Sequence, residues 1–182
     1  MTNRDEPAAR IASASLRLGI VSAAPAVRTA PDRLAMIAAN GRLVGELRRL
    51  FPHSRLCVSL VDSGLPAGTH EVQCPAEDIV PLPPMPTTIG AQKYFWTVWR
   101  TLRRFARSVD VIYLRAPLQI PLAAAGIAAP IVLHVVNDPA EIVRVSDQYP
   151  GLLGILARRF ARHSEAMMRR LLLIEASAYP KP

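Results

Sequence analysis

The chain has 182 residues, of which 51% are hydrophobic and 20% charged, and it carries a formal net charge of +8. That composition excludes a disordered tail, and the length suits one domain of roughly 100–200 residues with a single core. Twenty of the 22 basic residues are arginine, so the positive charge does not titrate at physiological pH and favours anionic partners.

Residues 1–15 are polar, carry both charge signs and show no sustained apolar period, which predicts a loose leader. Leu16–Ser22 (LRLGIVS) reads as a short buried strand. The apolar run Leu18–Val21 is too short for a signal peptide, which needs roughly 7–15 apolar residues. An Ala/Pro loop follows. A helical pattern then runs from Asp32, a plausible N-cap, to Phe51, with Met36, Leu43, Leu47 and Leu50 at helical spacing. Gly41 and Gly45 within it would let the helix approach a sheet closely. Arg55–Val61 (RLCVSLV) is a second strand, closed by the turn-rich Asp62-Ser63-Gly64-Leu65-Pro66. A weaker strand is expected near Ile79 and Val80, ended by the extended, proline-rich Pro81–Pro86.

Asp110–Arg115 (DVIYLR) and Ile131–Val136 (IVLHVV) are the clearest strands, and Leu118–Ala129 between them has room for only a short helix. The apolar stretch Ala116–Val136 has the length of a membrane span, but Pro117, Pro121, Gly126, Pro130 and His134 break it. Strands that alternate with helices predict an α/β fold, a single Rossmann-like domain with a mainly parallel sheet and helices on both faces. Cys57 and Cys74 are too few for a disulfide framework and lack metal-ligand spacing, which fits a reducing cytoplasm and no structural zinc.

Two helices are basic and amphipathic. In Lys93–Arg107 (KYFWTVWRTLRRFAR), a step of about 100° per residue places Tyr94, Phe95, Val98, Trp99, Leu102, Phe105 and Ala106 on one face. Lys93, Trp96, Arg100, Arg103, Arg104 and Arg107 fall on the other. A solvated surface fits this cationic face, and so does attraction to anionic lipid or a polyanionic substrate. The second helix is expected from Leu152 to about Glu175, with Leu156, Phe160, Met167, Leu171 and Ile174 as its apolar stripe and Arg158, Arg162 and Arg169 opposite. Nucleic acid is disfavoured, because no recognition motif accompanies the charge.

Three polar residues sit where chemistry would occur, since the carboxyl ends of parallel strands border the ligand crevice of an open α/β sheet. His134 lies within IVLHVVND, and Asp138 follows before Pro139. For His134 a hydrogen-bonded core histidine and a base or ligand-binding group are both open; for Asp138 a turn or helix cap competes with the same roles. Arg115 ends the preceding strand, where a guanidinium can hold a carboxylate or phosphate through two parallel hydrogen bonds or form a surface ion pair. No dinucleotide, P-loop, nucleophile-elbow or zinc-protease motif is present.

The order LRLGIVS, a long helix ending at Arg49–His53, RLCVSLV, a proline-rich connection, DVIYLRAP and PIVLHVVNDPAE resembles the N-terminal domain of bacterial glycosyltransferase family 4 enzymes, over about Leu16–Ala176. The resemblance implies the acceptor half of a two-domain GT-B architecture. Its expected reaction moves a sugar from a nucleotide-sugar donor, a substrate rather than a cofactor, to a lipid-linked or polysaccharide acceptor. By position, His134 and Asp138 match the polar catalytic site, and Arg115 matches the acceptor-binding end of the strand before it. The first loop, Ala23–Pro31, lacks the family's glycine pair. Residues 177–182 are read as a tail, with the donor domain expected from a partner protein or from a longer product. A homo-oligomer is the other expected way to cover the inter-domain face.

The basic helices are similar to those with which such enzymes dock on anionic membranes, so the expected location is the cytoplasm, at the inner face of the membrane. The alternative from a different class is a non-catalytic peripheral membrane or adaptor module that uses the same helices. A truncated, inactive product is a third.

Overall fold

The computed structural model describes residues 15–62, 68–85, 88–116, 121–124 and 127–135, with the isolated positions 155, 159, 162, 163 and 166. Its elements in chain order are β1 (Leu18–Ala30), β2 (Arg33–Ile37), α1 (Ala38–Leu50), β3 (Arg55–Leu60), β4 (Thr69–Gln73), β5 (Ile79–Leu82), a single-turn α2 (Thr88–Ala91), α3 (Phe95–Ala106), β6 (Val111–Ala116) and β7 (Ile131–Val135). Short 3-10 turns occupy Ala76–Asp78, Gln92–Tyr94 and Pro121–Ala124.

The fold is α/β, as expected, but the sheet is mixed. β1 pairs in parallel with β3 and β6, β3 with β5, and β6 with β7. β2 and β4 add an antiparallel wing, β2 on the far half of β1 and β4 on β2.

Strand β1 makes this possible by serving two neighbours in succession. Its Leu18–Val21 half lies beside β6, and its Ala26–Ala30 half beside β2. The register against β3 shifts between Ser22 and Pro25, where proline removes a ladder donor. The expected Ala/Pro loop is therefore strand, and the helix expected from Asp32 begins only at Ala38. Residues 33–37 form β2 instead, because Leu34 and Met36 bury completely on one side of the sheet. Asp32 sits in the turn before it, and its carbonyl accepts the Cys74 N–H at 2.7 Å. Helix α1 has no side-chain cap at Ile37, so its start is set by packing rather than by a local stop signal.

Each face of the sheet has its own core. Leu18, Ile20, Leu34, Met36, Leu56 and Val58 pack with Val44 of α1 on one face. Val21, Cys57, Ile112 and Leu114 pack with Val98, Leu102 and Phe105 of α3 on the other. The strand period of two separates Ile112 and Leu114 from Tyr113 and Arg115. Gly41 is where α1 meets β4: a Cβ there would stand 2.8 Å from His70 Cβ and 2.9 Å from the His70 carbonyl oxygen. Gly45, paired with it in the sequence pattern, has no such contact; its nearest neighbour would be His70 Nε2 at 3.9 Å.

The expected short helix between β6 and β7 is the 3-10 turn Pro121–Ala124. Ile155, Arg159, Arg162, His163 and Ala166 of the second basic segment are helical and exposed. No helix among the described residues is long and apolar enough to cross a membrane.

Candidate functional site

The carboxyl ends of β6 and β7 carry the polar cluster. In the parallel register Arg115 lies beside His134 and Tyr113 beside Val132, so the pleat puts all four on one face of the sheet. Val132, more than half exposed, and the exposed His134 mark that face of β7 as open. The opposite face of the same strands is filled by Ile112 and Leu114 under α3.

Tyr113 and His134 are hydrogen-bonded through the phenol oxygen and Nδ1. Their rings are tilted at 59° with centroids 5.8 Å apart. Burial pushes the Tyr113 phenol above its ordinary value, against a smaller opposing pull from the Arg115 charge. The phenol thus keeps its proton at neutral pH. That bond occupies Nδ1 and leaves Nε2 as the ring nitrogen open to a ligand.

Arg115 is half-buried, and its Nη1 is enclosed with no hydrogen-bond partner among the described residues. A buried donor left unsatisfied costs about 1–3 kcal/mol. A carboxylate or phosphate beside Nη1 would recover that cost, because charge-assisted hydrogen bonds are the strong ones. Asp138 lies outside the described residues.

The structure thus brings Arg115 and His134 together, as their positions at the two strand ends anticipate. Tyr113 joins them without having been anticipated. Its signal was present: two residues before Arg115 on a strand, it must share that residue's face.

The second candidate surface is α3 with the turn before it. Val98, Leu102, Phe105 and Ala106 are buried. Lys93, Trp96, Arg100, Arg103, Arg104 and Arg107 are all exposed, as their spacing predicts. Trp96 is 64% exposed and makes edge-on ring contacts with Phe95 and Trp99, at 5.1 and 5.7 Å between centroids. The Arg103 guanidinium stacks over Trp99 at 4.5 Å, and Lys93 Nζ lies 4.8 Å from the Tyr94 ring centre. These contacts hold apolar rings against the cationic groups on one surface. α3 sits on the other side of the sheet from Tyr113, Arg115 and His134, so the two candidate surfaces are separate.

Cys57 and Cys74 are buried, and burial pushes their thiols up to about 12 and about 11. Neither is a thiolate nucleophile near neutral pH. Among the described residues no three His, Cys, Asp or Glu side chains converge in a way that could hold a metal ion. No known family, curated protein or solved structure matches the chain.

Proposed function

We propose that this chain is the acceptor-binding half of a GT-B-type sugar transferase. The observation that carries the proposal is Arg115, whose Nη1 is buried without a partner among the described residues, beside His134 at the carboxyl ends of neighbouring parallel strands. Open α/β sheets hold their ligands at that edge. Further support comes from the run of parallel strands β5-β3-β1-β6-β7 within the mixed sheet, with α1 on one face and α3 on the other, an order that a Rossmann-like acceptor domain would need.

In this reading Arg115 holds the anionic group of a lipid-linked or polysaccharide acceptor. His134 hydrogen-bonds the acceptor hydroxyl through Nε2, with its ring held in place by the Tyr113 contact at Nδ1. Uptake of the hydroxyl proton as the sugar is transferred falls to Asp138. The nucleotide-sugar donor is supplied by a partner domain.

The test is binding of polyprenyl phosphate in nanodiscs by the wild type, Arg115→Gln and His134→Ala. A loss of about tenfold or more is expected for Arg115→Gln, the worth of one charge-assisted hydrogen bond. Unchanged binding by a folded Arg115→Gln variant would overturn the assignment.

The exposed Trp96 within the cationic face of α3 favours a second reading, a non-catalytic module on the inner face of an anionic membrane. Flotation with phosphatidylglycerol vesicles, lost as salt is raised, supports it; equal binding to neutral vesicles refutes it. In that reading Arg115→Gln changes nothing.

A further inference from the structure

The other end of the sheet holds a recess that the acceptor reading does not use and that shares only Arg104 with the cationic face of α3. Where β3 begins and α3 ends, Arg55, Val80, Thr101, Arg104, Phe105 and Ser108 line a recess of about 150 Å³. We propose that this recess binds a phosphoryl dianion, with Arg55 and Arg104 as its two cationic walls.

Three observations lead there. Among the described residues, four arginine–carboxylate pairs form, Arg17–Asp110, Arg33–Glu71, Arg48–Asp78 and Arg49–Glu46, and neither Arg55 nor Arg104 takes part in one. Two like charges facing one hollow over low-dielectric walls concentrate positive potential inside it. The only acceptor that engages the Arg55 guanidinium among the described residues is the Glu77 carbonyl, at a long 3.4 Å, which leaves most of its fork of donors free.

The chemistry of the lining selects the ligand. The Ser108 hydroxyl donates to the Phe105 carbonyl at 2.7 Å, so Ser108 contributes no donor of its own to an anion. Thr101, also in the lining, carries a hydroxyl that can donate one further hydrogen bond. Val80 and Phe105 give the lining its apolar part. This set suits a compact, doubly charged tetrahedral oxyanion attached to an apolar group better than a bare carboxylate. Stabilising the carbonyl end of α3 does not explain Arg104, because Arg103 and Arg107 already place positive charge there.

The experiment measures the thermal midpoint of the full chain against inorganic phosphate at fixed ionic strength, with chloride as the reference salt. A saturable rise with phosphate is expected, as for any ligand that binds the folded state alone. Arg104→Gln should weaken the apparent affinity about tenfold or more, whereas Arg42→Gln, an exposed position on α1 outside the lining, should leave it within about twofold. Both substitutions are at exposed helical positions that leave the core intact, so the comparison stands even if Arg55→Gln, which should behave like Arg104→Gln, fails to fold.

Competition identifies the source of the phosphoryl group. Displacement of phosphate by phenyl phosphate alone supports a soluble monoester, and displacement by phosphatidic acid vesicles supports a lipid headgroup. No response to phosphate in the wild type, or equal losses in Arg104→Gln and Arg42→Gln, would overturn the site.

Discussion

Gly41 and Gly45 lie one helical turn apart on α1, and alanine at the two positions should move stability in opposite directions. In a helix interior, replacing glycine with alanine gains about 0.5–1 kcal/mol, because glycine has more conformational freedom to lose. At Gly45 nothing opposes that gain, since the new methyl has no neighbour nearer than 3.9 Å. At Gly41 the methyl would stand 2.8 Å from His70 Cβ and 2.9 Å from the His70 carbonyl oxygen. Both are well inside normal contact, and the carbonyl belongs to the β4 backbone, paired with β2 from Thr69 to Gln73. Overpacking of this kind costs about 1–3 kcal/mol. The net expectation is a loss of about 1–2 kcal/mol for Gly41→Ala and a gain of about 0.5–1 kcal/mol for Gly45→Ala. Urea unfolding reads both: with a slope near 2 kcal/mol per molar, the two midpoints should separate by about 1 M. Equal stabilisation by the two substitutions would refute the close packing of α1 on β4.

Arg48, with its side chain only 12% exposed, donates to the Gln73 carbonyl at 3.0 Å, the Ser54 carbonyl at 2.8 Å and the Asp78 carboxylate at 2.8 Å. Arg48→Met should cost about 2–4 kcal/mol in denaturant unfolding, and Arg48→Lys should recover only part of it, because a single ammonium cannot span three acceptors; full recovery by lysine would count against the fork geometry. Asp110 accepts from the Arg17 guanidinium at 2.7 and 3.3 Å and from the Arg17 backbone N–H at 2.9 Å, which holds its carboxyl below the usual range. A carboxyl depressed in the folded state stabilises it above the unfolded value of about 3.9, and that contribution is lost as pH falls through the folded value. The wild type should therefore melt higher than Asp110→Asn at pH 7, with the gap closing as pH falls below about 4; a gap independent of pH would refute the pairing.

The elements legible in the sequence are those whose signal is local. β3, β6 and β7 lie within a residue or two of where their apolar runs place them, and the exposed and buried sides of α3 follow its period. β2 and β4 were illegible for two different reasons. Arg-Leu-Ala-Met-Ile contains good helix formers and continues the period of α1, so its strand state comes from a partner edge, the far half of β1. Thr-His-Glu-Val-Gln turns only Val72 inward, too little alternation to declare a strand. The candidate site divides in the same way. Arg115 and His134 stood out as polar endings of apolar strands, but the Tyr113 hydrogen bond needs a residue 21 positions away and the β6–β7 register to bring it near.

The placement of the two candidate surfaces constrains how they work together. Ile112 and Leu114 face α3, and Tyr113 and Arg115, one residue over, face away from it. A membrane lying against the outer side of α3 would therefore be separated from the Arg115 site by the thickness of the sheet. A lipid-linked acceptor could reach Arg115 only around the carboxyl edge of the strands, and Arg115 stands one residue from the end of β6. If α3 anchors the chain and Arg115 holds an acceptor, as proposed, the two functions are separable on physical grounds. Reversing charge at Arg100 or Arg107 should release the chain from anionic vesicles while leaving the affinity of Arg115 for a water-soluble acceptor phosphate unchanged, because the two surfaces lie on opposite faces of the sheet and share no ligand contact. Coupled losses would require the two surfaces to share a ligand, an arrangement that the opposite orientation of neighbouring β6 residues argues against.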